Sequence, residues 1–231
     1  MVFNYPLKIV LVQVMLICGV GYGGEVEDLV ARLEKLDGKD SIRAKVHIDD
    51  RVSKAQDEKD KLLEKADFVI TADANTLTLT VSGKISKNRL FREFSLLRVR
   101  ELTHYGSQLA SELNGLKLIE NAHDVHRGVS CKRWRLKSEL EESKFGVSSK
   151  TVRDIELWID AEGYPLAGLF KTQTKGKFLL FKFESESVQE QRYKRLGSRL
   201  VLVFDKNETD VKSKAGNQKR TITTTIEAEQ N

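Results

Sequence analysis

Apolar side chains recur along this chain at two spacings, near four residues in its middle and near two elsewhere. Between Ser86 and Leu113 they recur every three or four residues, which aligns them as one stripe along a helix. The Asn114-Gly115 pair is suited to end this helix. Leu97 to Arg100 also alternates as a strand does, so the helix begins either at Ser86 or as late as Glu101. The stripe consists of Phe91, Phe94, Leu102, Tyr105, Leu109 and Leu113.

Strict alternation of apolar and polar residues predicts strands on both sides of this helix. It is clearest from Ile42 to Ile48, where every second side chain is apolar. Two further alternating runs, at residues 68–72 and 77–81, flank the turn signal Asp73-Ala74-Asn75 and predict a hairpin. One face of such strands is buried and the other is exposed to solvent, as in many antiparallel sheets.

A second group of strands follows the helix. The turn at Asp160–Gly163 and the turn at Lys175-Gly176 predict a three-strand meander between Ile155 and Phe183. Near the start of the chain, Glu25–Leu36 has the pattern of a short amphipathic helix. The predicted fold class is therefore α+β: a curved antiparallel sheet, or half-barrel, wrapped around one long helix, with a short N-terminal helix.

The first 23 residues have the order of a secretory signal peptide. Lys8 precedes an apolar run from Ile9 to Val20, and small residues follow. The run is shorter than the roughly 20 apolar residues that a membrane-spanning helix needs, although an uncleaved anchor is the alternative. Cleavage is expected after Gly21 or Gly23, and residues 24–231 then form a single domain that is periplasmic or associated with the outer membrane. Lipid modification of Cys18 as an N-terminal cysteine is a further alternative.

Charge and cysteine content narrow the classes of function. Without Lys8 the chain has 38 basic and 34 acidic residues, and both signs are mixed throughout, which is typical of a charged surface more than of a nucleic-acid footprint. After cleavage Cys131 is alone, so no internal disulfide can form. Arginines cluster between Arg89 and Arg100, and the simplest interpretation is that Arg89, Arg92 and Arg100 form the solvent-exposed side of the helix. If they bind a partner, export favours an anionic lipid headgroup or membrane surface over nucleic acid.

The stretch Glu156-Leu157-Trp158-Ile159-Asp160-Ala161-Glu162-Gly163-Tyr164-Pro165-Leu166 is an aromatic strand that ends in Asp-x-x-Gly before a proline and a return strand. With the element order above, it resembles the periplasmic lipoprotein-carrier superfamily of LolA/LolB type. The opening of the chain also resembles that of a group of exported bacterial proteins of unassigned role. The resemblance implies a curved sheet over helices, with an apolar cavity between them that takes acyl chains.

Catalytic and metal-binding patterns are missing from the sequence. It has no G-x-S-x-G, phosphate-binding glycine loop, H-E-x-x-H or C-x-x-C motif, so we expect no enzyme activity and no cofactor. His123, Asp124 and His126 have the spacing of metal ligands on a helix, but the segment Asn121–Arg127 is interpreted as a polar surface loop.

The predicted function is non-catalytic binding of a lipid-like or other apolar ligand between sheet and helix, including transport of lipid or lipoprotein. The alternative is a structural or protein-interaction module of the cell envelope with a solid core. Partners are then a lipid or acyl ligand, an envelope protein or the membrane surface, and not nucleic acid. The residues predicted to line the cavity are Phe91, Phe94, Leu102, Tyr105, Phe170, Phe178 and Phe181.

Overall fold

The computed structural model describes residues 23–36, 38–54, 61–81, 101–144, 147–178, 181–213 and 216–230. The helices are α1 (Gly23–Glu34) and α2 (Gly106–Leu113). The strands are β1 (Ile42–Lys54), β2 (Lys61–Ala72), β3 (Leu77–Val81), β4 (Lys117–His126), β5 (Val129–Lys144), β6 (Val147–Ile159), β7 (Pro165–Phe178), β8 (Phe181–Leu196), β9 (Arg199–Ser213) and β10 (Gly216–Gln230). No helix in these ranges is both long enough and apolar enough to cross a membrane.

Within the described ranges the strands form one ten-stranded antiparallel sheet, in the order β3-β2-β1-β10-β9-β8-β7-β6-β5-β4. Strands β4 to β10 are neighbours in chain order, and so are β1 to β3. The last strand then pairs with the first, from Gln230 against Ile42 to Gln218 against Lys54. Two meanders are therefore joined by the pairing of β10 with β1, and β3 and β4 form the edges of an open sheet.

Alternation along the strands decides which face of the sheet is buried. In β1 the side chains of Ile42, Ala44, Val46 and Ile48 are buried, and those between them are half-buried or exposed. These side chains belong to one core cluster with apolar residues of both helices. We call the face of the sheet that carries these side chains the helix-bearing face. The predicted strand at Ile42–Ile48 is confirmed, and it extends on to Lys54.

The two helices pack closely against each other on this face. Leu29 and Leu33 of α1 and Leu109 and Leu113 of α2 are buried. A side chain on Gly106, the first residue of α2, would meet the carbonyl oxygen of Leu33 at 3.0 Å, so the glycine permits the close approach. The short N-terminal helix predicted from the amphipathic pattern is confirmed as α1.

The single long helix predicted from Ser86 to Leu113 is wrong for the described part of that segment. The chain is helical at residues 101–103, leaves the helix at His104 and Tyr105, and then forms α2, which has 8 residues. The N–H of Tyr105 donates to the carbonyl of Leu200 in β9 at 2.7 Å, which ties the chain to the sheet where a long helix would continue. Residues 82–100 lie outside the described ranges. The structure therefore has short helices on one face of an open sheet.

The predicted hairpin and meander are confirmed. Strands β2 and β3 pair around a turn in which Asp73 Oδ1 accepts the N–H groups of Asn75 (2.8 Å) and Thr76 (2.7 Å). These hydrogen bonds hold the pKa of Asp73 below its usual range.

Strands β6, β7 and β8 pair in succession, as predicted for the meander, and the turn at Asp160–Gly163 is confirmed. The turn predicted at Lys175-Gly176 is wrong, because both residues lie within β7, which continues to Phe178 and pairs there with the start of β8.

The interpretation of Asn121–Arg127 as a surface loop is wrong, because most of this segment lies in β4. It pairs with β5 from Lys117 against Lys137 to His126 against Val129, with a bulge between Leu118 and Glu120. As an edge strand with few apolar residues, β4 lacks the alternation that marks a half-buried strand. The pairing comes from a tight turn that follows it, where Arg127 and Gly128 both have positive φ.

Candidate functional site

A cavity of about 470 Å³ lies between α1 and the ends of β4, β5 and β6, and the turn between β6 and β7 closes one side. We call it the helix–sheet cavity. It takes one wall from the exposed and half-buried side of α1, at Glu25, Asp28 and Arg32, and the other from the helix-bearing face of the sheet. Its volume is within the range of ligand-binding clefts, roughly 300–1,000 Å³.

The floor of the helix–sheet cavity is apolar. Leu29 of α1, Trp134 of β5 and Ile159 of β6 line it, and all three are buried. Cys131 also lines the cavity and is buried, and its thiol donates to the carbonyl of Asp124 at 3.5 Å. Strand alternation places Trp134 on the helix-bearing face, opposite Leu157 of β6, so the indole meets α1 and not solvent.

The indole N–H of Trp134 is buried and has no hydrogen-bond partner among the described residues. An unpaired buried donor costs roughly 1–3 kcal/mol, because the group has lost its water and gained nothing. A carbonyl or carboxylate oxygen that reached this ring edge would remove the cost. The floor is therefore an apolar surface, and its one polar atom, the indole nitrogen of Trp134, is buried.

Charged groups surround the mouth of the cavity. Lys132 and His123 are paired residues of β5 and β4, both are exposed, and both line the cavity. Neither takes part in an ion pair with another described residue. On the helix side, the carboxylate of Glu25 accepts the side-chain amide of Asn121 at 3.0 Å. Both signs of charge are thus present at the mouth, since Arg32 of α1 and Lys132 of β5 line the cavity together with four carboxylate residues.

The turn that closes the cavity is fixed to α1 and to β8. Arg32 donates from Nη1 to the carbonyl of Glu162 at 2.7 Å, and the Glu162 carboxylate pairs with Arg195 at 2.9 Å. The Arg195 guanidinium also lies 4.4 Å from the ring centroid of Tyr164. Gly163 has φ 84°, and a side chain there would overlap the Arg32 guanidinium, so this position requires glycine.

The histidine and aspartate side chains of β4 do not come together at one place. His123 faces the cavity, whereas Asp124 accepts the indole N–H of Trp158 at 2.9 Å and His126 stacks on the same indole with the centroids 4.7 Å apart. The described part of the chain has no group of three or more His, Cys, Asp or Glu side chains that could hold a metal ion.

The residues predicted to line a ligand cavity are distributed over the molecule. Leu102, Tyr105 and Phe170 are buried in the core and do not line the helix–sheet cavity. Phe91 and Phe94 lie outside the described residues. Phe178 and Phe181 are paired at the far ends of β7 and β8, and their side chains are not described.

Tyr105 belongs to a buried hydrogen-bond network between α2 and β8. Gln191 donates to the Tyr105 hydroxyl at 2.8 Å and accepts the hydroxyl of Tyr193, while Tyr105 donates to Glu112 at 3.1 Å. Burial raises the pKa of both tyrosines, so both stay protonated donors. This network occupies the space under α2 with fixed polar contacts, which explains why the cavity lies under α1.

The residues of the cavity floor were missed because their sequence signal is that of a core. Leu29, Trp134 and Ile159 occupy apolar positions of an amphipathic helix and of alternating strands. Such a pattern predicts burial but does not tell whether the buried side chain meets another side chain or an empty volume. The one signal available was the tryptophan, whose N–H needs a partner when it is buried.

Comparison with known proteins does not assign the chain to a family. No family model matches it, and no curated protein matches it. Among solved structures, a DUF1329 family protein from Desulfovibrio piger is similar over 89% of this chain and 92% of that chain, with 8% sequence identity and a TM-score of 0.36. A similarity of this size indicates neither a shared activity nor a shared ligand.

Proposed function

We propose that this protein binds an amphipathic, lipid-like molecule in the helix–sheet cavity, without catalysing a reaction on it. The observation that carries the proposal is the combination of an apolar floor with a charged mouth. A hydrocarbon chain fits against Leu29, Trp134 and Ile159, where its own apolar surface is removed from water. A polar headgroup remains at the mouth near Lys132 and His123.

The preferred ligand is an acyl chain that ends in a carboxylate or an ester. Its hydrocarbon chain suits the apolar floor, and its carboxylate would lie at the mouth near the ammonium of Lys132. The volume of about 470 Å³ suits one such chain and not a large multi-chain lipid. Support for this class of ligand comes from the chemistry of the lining alone.

Export to the periplasm or outer membrane, by the signal-peptide pattern of residues 1–23, is part of the proposal. In that compartment an acyl carrier needs a pocket that shields a chain from water. The resemblance to LolA/LolB-type lipoprotein carriers points to the same ligand class, with transport of lipid or lipoprotein as its finer form. Fold alone does not determine function, so the proposal depends on the cavity.

The test is titration with 11-(dansylamino)undecanoic acid, a fluorescent fatty acid, monitored by energy transfer from tryptophan. His123→Trp places a large ring at the mouth of the cavity and should weaken binding of the probe by about tenfold or more. Val125→Trp is the matched control: Val125 is on the same strand, is 65% exposed and does not line the cavity. Binding to the control should equal binding to the wild type.

Native mass spectrometry of the protein purified from membranes complements the titration. A co-purifying mass of one fatty acid or lysolipid supports the proposal, provided that His123→Trp removes it. Absence of probe binding in the wild type, together with a clean protein mass, would contradict it. That pair of results would favour the alternative of an envelope module that meets a protein partner.

A further inference from the structure

The charged residues that α1 contributes to the helix–sheet cavity are separated by sign along the helix. Glu25 and Asp28 lie in its first half, one turn apart on the same side, and Arg32 lies near its end. At about 1.5 Å per residue, Glu25 and Arg32 are roughly 10 Å apart along the helix axis. The cavity therefore has an acidic end and a basic end.

Contacts with the sheet fix the positions of these two ends. The Glu25 carboxylate accepts the side-chain amide of Asn121, in the edge strand β4, at 3.2 and 3.0 Å. Arg32 donates to the carbonyl of Glu162, in the turn after β6, at 2.7 Å. Lys132 of β5 is paired with the last residue of β6, beside that turn. The acidic end thus lies at the β4 edge, and Lys132 adds a second cation on the side of the turn.

The carboxylates of the acidic end have no cationic partner within the described ranges. The amide that donates to Glu25 is neutral, so it satisfies the carboxylate oxygens without cancelling their charge. Asp28 is exposed and forms no ion pair with another described residue. Both side chains line the cavity, where a cationic group of a ligand would find them.

The other two carboxylates of the lining belong to the closing turn and are held by it. Asp160 Oδ1 accepts the N–H of Tyr164 at 2.9 Å, and the Glu162 carboxylate pairs with Arg195 at 2.9 Å. The first contact is part of the turn itself, and the second neutralises the charge. The carboxylates of α1 are therefore the ones that select the headgroup of a ligand.

The cations of the lining also lack an opposite charge. Lys132 is exposed and Arg32 is half-buried, and neither forms an ion pair in the part of the chain that the structure describes. Arg32 donates to a carbonyl, which is neutral. Uncompensated charges of both signs thus surround one apolar floor.

A headgroup with both signs of charge complements this lining better than a headgroup with one. A free carboxylate gains from Lys132 but is repelled by Glu25 and Asp28, and the same holds for an anionic phosphate ester. A phosphate that carries an ammonium on a short arm places each charge beside its opposite. The apolar floor and the volume of about 470 Å³ accept one acyl chain, so the complementary lipid has a single chain.

We propose that the ligand of the helix–sheet cavity is a lysophospholipid with a zwitterionic headgroup, of the lysophosphatidylethanolamine type. Its acyl chain lies on the floor, its phosphate lies near Lys132, and its ammonium lies near Glu25 and Asp28. This inference rests on the proposed function, because it requires an acyl chain in the cavity, and it adds the class of headgroup.

The test is displacement of 11-(dansylamino)undecanoic acid by lysophosphatidylethanolamine and by lysophosphatidylglycerol with the same acyl chain, both below the concentrations at which they form micelles. Lysophosphatidylethanolamine should displace the probe at an approximately fivefold lower concentration, because an exposed ion pair contributes up to about fivefold in affinity. Glu25→Gln combined with Asp28→Asn should abolish this preference. The same variant should bind the dansyl fatty acid at least as tightly as the wild type does, since it removes a repulsion, and this binding shows that the variant is folded.

Glu27→Gln combined with Glu34→Gln is the matched control. Both residues are exposed on α1 and do not line the cavity, so the control removes the same charge from the same helix and should keep the preference. Equal displacement by the two lysophospholipids in the wild type, or a preference that persists without Glu25 and Asp28, would overturn the headgroup assignment and leave acyl-chain binding intact. Failure of the wild type to bind the dansyl fatty acid would overturn both proposals.

Discussion

At the scale of the residue, Trp158 and its neighbours form a small titratable cluster on the face of the sheet opposite the helices. The indole donates to Asp124, and His126 stacks on the ring. Burial lowers the pKa of His126, and the positive charge of Arg127 lowers it further. Its Nε2 is buried without a partner in the described chain, so protonation there gains no hydrogen bond.

This cluster predicts a loss of stability in mild acid. The pKa of His126 in the folded protein lies below its ordinary value of 6.5, so near and below that pH the unfolded chain binds more protons than the folded one. Above about pH 6.5 His126 does not reduce the free energy of unfolding, and below that pH the free energy of unfolding decreases as the pH falls. Urea midpoints measured from about pH 7.5 to about pH 5.5 should therefore decrease, and His126→Gln should make the decrease smaller.

His123→Gln is the matched control, because His123 is an exposed histidine three positions earlier on the same strand. It should leave the pH dependence as it is in the wild type. If the two variants alter the slope equally, the stacked histidine is not its source. The lowered pKa of Asp124, which comes first from the Trp158 hydrogen bond, produces a separate loss only at lower pH.

At the scale of the element, the sequence predicts best where local chemistry alone decides the structure. The turns at Asp73–Asn75 and Asp160–Gly163 were predictable because aspartate accepts nearby N–H groups and glycine takes positive φ. Leu102, Tyr105, Leu109 and Leu113 are all buried, as the stripe predicts. The break at Tyr105 was not predictable, since it depends on a hydrogen bond to Leu200, far along the chain.

Strand β8 is a case in which the sequence pattern does not predict the structure. On the helix-bearing face its residues are Tyr193 and Gln191 under α2, followed by Gln189 and Ser187 farther along the strand. Gln189 bonds to Asp205 at 2.8 Å and Ser187 to Asn207 at 2.8 Å, so neighbouring strands satisfy this face with polar pairs. Alternation of apolar and polar residues disappears there, and the strand could not be identified from its pattern.

Whether α1 holds the turn after β6 in place can be tested by removing the hydrogen bond between them. Arg32→Ala removes the hydrogen bond to the Glu162 carbonyl. A hydrogen bond from a charged donor contributes about 1–2 kcal/mol, so amide exchange at Asp160–Tyr164 should accelerate at least fivefold. Exchange measured by mass spectrometry on peptides covering this turn gives the readout, and β9 peptides should be unchanged.

Arg43→Ala serves as the control, because Arg43 is exposed on β1 and makes no described ion pair. It should leave exchange in the turn unaltered. Unchanged exchange in Arg32→Ala would mean that Glu162 is held by Arg195 alone. The wall of the helix–sheet cavity would then be independent of α1.

At the scale of the whole molecule, the fold depends on one non-local pairing. Strand β10 lies between β1 and β9, so it joins the N-terminal meander to the seven-strand C-terminal meander. Buried side chains of β1 and β10, such as Val46 and Ile226, are paired across this junction. Bringing the two ends of the chain together costs loop-closure entropy, and this cost is smaller for the short local turns.

A disulfide across this junction should therefore stabilise the protein more than one across a local hairpin. Lys45→Cys with Glu227→Cys joins exposed, directly opposite positions of β1 and β10, and closes a loop of roughly 180 residues. The chain-entropy relation gives about 5 kcal/mol for that loop, against about 2.5 kcal/mol for Thr71→Cys with Thr78→Cys, which are opposite in the β2–β3 hairpin.

Both cysteine pairs are introduced into a variant that also carries Cys18→Ser and Cys131→Ala, so that no other thiol is present. The measurement is the urea midpoint of each variant, oxidised and reduced. A gain for the long loop that is no larger than the gain for the hairpin would show that the chain ends already stay close together in the unfolded state, and that β10 does not carry the closure cost of the sheet.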